Sequence, residues 1–166
     1  MTINPDLQGR SYPAKEVYDV GREKIREFDR AVKATHPAHV DVDAARALGH
    51  HDLVAPPTFA IIVAQRADAQ LIEDPDAGID FSRVVHADQR FVHHRPIVAG
   101  DRLVAELHVD GVRAMGGGAM ITTRSEIFAL PAGAVDGAAA AGAAEDAGRE
   151  PVATATSSLL VRGEGQ

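Results

Sequence analysis

The sequence contains no cysteine. Disulfides, thiolate nucleophiles and Cys-based zinc centres are therefore excluded. It has no Trp either, and aromatic residues make up only 4%. Hydrophobic residues still reach 45%, so the core has to be assembled from Val, Ile, Leu and Ala. Basic residues are outnumbered, with 17 Lys and Arg against 24 Asp and Glu and a net charge of -7. A nucleic-acid-binding face displaces counterions with clustered positive charge, and this balance argues against one. A local basic patch that meets a phosphate remains compatible with it. The opening MTINPDLQGRSYP has no apolar signal core, and no apolar run is long enough to cross a bilayer. The expectation is a soluble, cytoplasmic chain whose 166 residues form a single domain.

What is present divides into a helical half and a strand half. Residues 1–16 are polar, carry Pro5, Gly9 and Pro13, and read as an extended arm leading to a short strand near Tyr18–Val20. From Gly21, Ile25, Phe28 and Val32 recur at helical spacing with charges between them. Pro37 cannot continue that helix. A second short helix is expected over Asp41–Leu48, with Asp41 as N-cap and Gly49 just past its end. Pro56 and Pro57 suit a helix entrance, and Ala60 to Ile72 supply its body. The run Phe59, Ala60, Ile61, Ile62, Val63, Ala64 is apolar on every side and predicts a buried helix.

After Gly78 the period shortens. Strands are expected at Val84–Arg95, Asp101–Arg113, Ala119–Leu130 and Val152–Val161. Leu103, Ala105, Leu107 and Val109 alternate with more polar neighbours, and Thr154, Thr156 and Ser158 share one face. Between the last two strands lies Ala/Gly-rich, low-complexity sequence, which predicts an extended, mobile loop at 131–150 with at most a short helix around Ala138–Ala144. Small helices, one apolar helix and long antiparallel strands make an α+β architecture.

The segment KATHPAHVDVDAARALGHHDLVAPPTF resembles the hydratase motif of MaoC-like proteins. Pro37, His39, Asp41, Ala44 or Ala45, and Gly49 fall in place, followed by the start of the apolar helix. HADQRFVHHRPIVAGDRL, from His86, extends the likeness, and EVYDVGREKIREF at Glu16–Phe28 is similar to the start of accessory dehydratase subunits of bacterial fatty- and mycolic-acid synthesis. The resemblance implies a hot-dog fold, a long antiparallel sheet wrapped around one central helix. It also implies dehydration of (3R)-hydroxyacyl thioesters, or the reverse hydration, with no cofactor.

In that chemistry a base takes the proton at C2, an acid assists loss of the C3 hydroxyl, and N–H groups at the central helix start polarise the thioester carbonyl. Family members use an Asp and a His, and the position matching the Asp is Ala34, upstream of His39. Where catalytic members carry Gly at the helix start, this chain has Pro57, which has no N–H to donate. Losing one acid/base partner removes ~100- to 10,000-fold in rate. The resemblance therefore implies an accessory lobe paired with a MaoC-like catalytic subunit. Pro57, Thr58, Phe59, Ile62 and Val63 are its expected contacts to an acyl-CoA or acyl-carrier-protein thioester. Two other readings stay open: a non-catalytic homodimeric acyl-binding or scaffold protein, and an intrinsically active homodimer working as hydratase or thioesterase through His39.

The remaining polar residues have plainer roles. His36 stands where the family has Asn and is expected to cap its turn. His93 and His94 are neighbours in a strand, point to opposite faces, and cannot share a metal. His50 and His51 beside Asp52 are expected to be solvated, so no metal is implied. Alternating charges between Arg22 and Lys33 predict an ion-paired exposed helix face. Asp101 after Gly100 reads as turn chemistry.

Overall fold

The computed structural model describes residues 3–133 and 148–163. Most of the loop expected at 131–150, and all of the short helix expected at 138–144, lie outside the described residues. Strands β1 (Ser11–Tyr12), β2 (Tyr18–Asp19), β3 (Val84–His93), β4 (Arg102–Met115), β5 (Gly118–Ala129) and β6 (Glu150–Arg162) form one antiparallel sheet. The order is β1-β4-β5-β6-β3, and β2 pairs with the beginning of β4. The helices are α1 (Arg22–Val32), α2 (Val42–Ala47) and α3 (Ile61–Glu73). The α+β class expected from the sequence is therefore the one observed. Among the described residues no helix is long and apolar enough to cross a membrane.

The expected alternation sets the inner face of the sheet. Leu103, Leu107 and Val109 on β4, Ile121 and Ile127 on β5, and Ala153, Ala155 and Leu159 on β6 are all buried. They share one cluster with Val63, Ala67 and Leu71 of α3 (Ala155 excepted). Burial removes these side chains from water at about 25 cal/mol per Å² of apolar surface, and this is the main force holding helix to sheet. Phe59, immediately before α3, is fully buried and meets Tyr18 and Phe28 edge-on, with ring centroids 6.2 and 5.3 Å away.

One expectation needs correction, and one strand carries an irregularity. Helix α3 is buried along one flank only: Val63, Ala64, Ala67, Asp68 and Leu71 are inside, Ile61 and Ile62 are half-buried, and Gln65 and Arg66 face out. The sheet of one chain covers one side of a helix, so an apolar stretch does not by itself enclose it. Strand β3 also breaks regular alternation. His86 pairs with Leu159 and Asp88 with Ser158, which leaves Ala87 as an extra residue in a bulge.

Local signals act as expected elsewhere. Asp41 caps α2 by accepting from the N–H groups of Asp43 and Ala44, and Gly49 follows at φ 90, the left-handed region that closes a helix. Asp101 does more than shape its turn. Its carboxylate takes Arg95 Nη1 at 2.8 Å and Nη2 at 3.0 Å and accepts from Val98 N–H at 2.9 Å, so it fixes the loop from β3 to β4. Removing one partner of such a part-buried pair strands the other. Asp101→Ala is expected to lower stability by about 2–3 kcal/mol in urea unfolding, and a change under about 0.5 kcal/mol would count against this role.

Candidate functional site

The segment from Ala34 to Thr58 folds over one end of the sheet. Pro37–His39 forms a 3-10 turn, capped as expected by His36, whose Nδ1 accepts from Ala38 N–H at 3.2 Å. Residue Val54 then bridges to Val98 and so ties the segment to the loop between β3 and β4. His39 is only 8% exposed, and its Nδ1 lies 2.7 Å from the Val54 carbonyl oxygen. A carbonyl only accepts, so Nδ1 carries the proton and Nε2 is left as an acceptor. An imidazole held this way can take a proton.

The acid that should accompany it is missing. Ala34 presents a methyl group, and its N–H is used by the Asp29 carbonyl at 3.0 Å. Asp29 is buried on α1, but among the described residues no carboxylate hydrogen-bonds to His39. Pro57 and Thr58 are exposed in the turn before α3, and Pro57 contributes no N–H there. Asp52, beside His50 and His51, is held by Arg22 at 2.7 Å, and that guanidinium lowers its carboxyl to about 2.

The expected acyl contacts do not come together on one wall. Phe59 is inside the core, and Val63 lies at the base of a groove shared with Tyr18, Arg66 and Gln70. A larger cleft of about 530 Å³ opens on the other flank of α3. Ile61, Asp68 and Ile72 form its helical wall, and Val84, His86 and Leu159 face them. Its lining sets Gln65, Asp68, Glu73, His86 and Ser157 among apolar side chains, a mixture that suits a small-molecule chain bearing polar groups.

Asp68 is the feature that sequence reasoning missed. Its side chain, 6% exposed, accepts from Thr123 Oγ1 at 3.1 Å. Burial raises its carboxyl to about 6, against the opposing pull of the Thr123 hydroxyl and the nearby His86. A signal was present: Asp68 falls one turn after Ala64 on the apolar face of α3, where a charge is out of place.

Among the described residues one other set has metal-ligand character. Donor atoms of Glu106, His108 and Glu126 lie within 4.8 Å of one another on the outer sheet face. Arg149 already binds Glu106 at 2.7 Å, and Arg124 binds Glu126, so the set is charge-compensated as an ion-pair network.

Residues 6–129 match the family described as "FAS1-like, dehydratase domain region". A UPF0336 protein of Clavibacter michiganensis is 50% identical over 99% of this chain and 99% of its own length. The C-terminally truncated HadBC (3R-hydroxyacyl-ACP dehydratase) complex of Mycobacterium tuberculosis contains a chain that is 35% identical. It superposes with a TM-score of 0.74, covering 93% of this chain and 97% of that one. A conserved hypothetical M. tuberculosis protein, RV0216, described as a double hotdogfold, is 17% identical with a TM-score of 0.70, over 96% of this chain and 41% of that one. The antiparallel sheet packed on α3 is thus a hot-dog fold.

Proposed function

Because this chain belongs to the FAS1-like dehydratase domain family, we propose that it is the accessory lobe of a (3R)-hydroxyacyl-thioester dehydratase. In this reading residues 1–166 make one hot-dog domain that binds the acyl chain, and a MaoC-like partner supplies the Asp and His. The observation that carries the reading is Ala34, a methyl group at the position matching the family's Asp, together with a His39 ring whose one hydrogen bond among the described residues is to the Val54 carbonyl. With no acid to assist departure of the C3 hydroxyl, His39 alone handles half of the proton traffic. Thioester polarisation at the start of α3 is weakened as well, since Pro57 has no N–H.

The edge of the sheet supports pairing. Strand β3 is the last in the order and, among the described residues, bonds to β6 on one side only, with Val85 and Val92 more than two-fifths exposed. An open edge of this length is a template for another chain. A hetero-complex is also what the similar HadBC chain forms.

The test is enoyl-thioester hydration by this chain alone, by a MaoC-like partner alone, and by the two co-purified. The expected result is a stable complex that turns over at least ~100-fold faster than this chain. His39→Ala in this chain is expected to leave the rate of the complex within a few-fold. Robust turnover by the chain alone, abolished by His39→Ala, would instead identify an active homodimer. A homodimer that ignores the partner in light scattering would leave only an acyl-binding or scaffold role.

A further inference from the structure

The sheet beneath α3 carries a polar row where the core calls for apolar side chains. Thr123 on β5 pairs with Ser157 on β6, and Ser157 with Gln89 on β3. Thr123 and Ser157 are 1% and 3% exposed. Buried hydroxyls of this kind are kept when they have work to do as donors or acceptors.

Their protons are already committed. Thr123 Oγ1 donates to Asp68 Oδ1 at 3.1 Å, and Ser157 Oγ donates to Gln89 Oε1 at 2.8 Å. Gln89 Oε1 also receives His86 Nε2 at 3.1 Å. Asp68 Oδ2 receives no hydrogen bond among the described residues, yet Asp68 lines the cleft. With its carboxyl at about 6, the group is mostly ionised at neutral pH and requires a donor.

A plain alkyl chain in this cleft would cover that acceptor and remove it from water without replacing the lost hydrogen bond. A chain with a hydroxyl at the right depth would donate to Oδ2 and leave the rest of its length against Ile61, Ile72 and Leu159. From Ile61 to Asp68 the helix rises roughly 10 Å, so the acceptor lies well along the cleft.

We propose that the cleft between α3 and the β3–β6 edge binds acyl chains that carry a hydroxyl group within the tail, and that Asp68 is the residue determining this specificity. The inference rests on the acyl-thioester reading above and names the class of chain it takes. Asp68 acts on selection of the tail and is not placed in the proton transfers at C2 and C3.

The test uses the full chain and three non-hydrolysable pantetheine thioethers of equal length, with a saturated, a tail-hydroxylated or a tail-keto chain, titrated by calorimetry. The hydroxylated chain is expected to bind about tenfold more tightly than the saturated one. Asp68→Leu should abolish that preference and favour the saturated chain. Asp68→Asn keeps the acceptor for Thr123 and can turn an N–H into the cleft, so it should shift preference toward the keto chain. A purely structural carboxylate would not move the ranking of the three ligands. Equal binding of the saturated and hydroxylated chains by the native protein overturns the specificity and leaves acyl binding standing. Failure to bind any of the three overturns both.

Discussion

Phe59→Ala is expected to lower the free energy of unfolding by about 4 kcal/mol, within the range for deleting a buried aromatic side chain. The ring is fully buried just ahead of α3 and meets Tyr18 on β2 and Phe28 on α1, each edge to face. The β2–α1 segment and the start of α3 therefore converge on one side chain, and collapse around its cavity would require both to move. In a protein with only five Phe and no Trp, little else nearby can fill the void. Urea unfolding should show a lower midpoint with an unchanged slope. Phe81→Ala is the internal comparison, because that ring is 66% exposed and its loss should fall within about 0.5 kcal/mol. Similar effects for the two variants would show that the aromatic cluster does not anchor the core.

Asp68→Asn is expected to stabilise the chain, by an amount set by pH. The folded carboxyl is raised to about 6 from an ordinary 3.8. Between those values the folded state keeps a proton that the unfolded chain has released. Stability therefore falls as pH rises through the window and levels off above about 6. The plateau penalty is about 3 kcal/mol, at 1.36 kcal/mol for each unit of displacement. Asn retains an acceptor for Thr123 and carries no charge, so it should recover most of that amount at pH 8 and almost none below the ordinary carboxylate range. Thermal or urea unfolding of both proteins across this interval measures it. A difference between them that is flat with pH would show that burial does not penalise the ionised carboxylate. A carboxylate that weakens the fold but survives in the core is consistent with selection for ligand binding over stability.

Local physics was readable from the sequence, and relations across the sheet were not. Asp41, Gly49 and Pro37 each act on backbone groups within a few residues, so the helix ends could be placed from residue type alone. The alternation of Leu103, Ala105, Leu107 and Val109 likewise fixes which side of β4 faces inward. The lone methyl at Ala34 was visible as a departure from a motif, and among the described residues no carboxylate hydrogen-bonds to His39 in its place. The row Thr123–Ser157–Gln89 could not be read, because it exists only once three strands adopt their register. The same holds for α3: an apolar run tells how much surface wants cover, but whether it is covered on one flank or both depends on how far the sheet wraps. That is why Ile61 lines the cleft while Val63 packs inward.

The surplus residue at Ala87 has a consequence for the imidazole wall of the cleft. Side chains three positions apart in an uninterrupted strand point in opposite directions, yet His86 and Gln89 share a hydrogen bond at 3.1 Å. Because the register runs His86–Leu159, Asp88–Ser158 and Gln89–Ser157, deleting Ala87 would leave a regular ladder with His86 and Gln89 still on one face. Were Ala87 instead taken into the ladder, every following side chain would change face and Gln89 would turn away from His86.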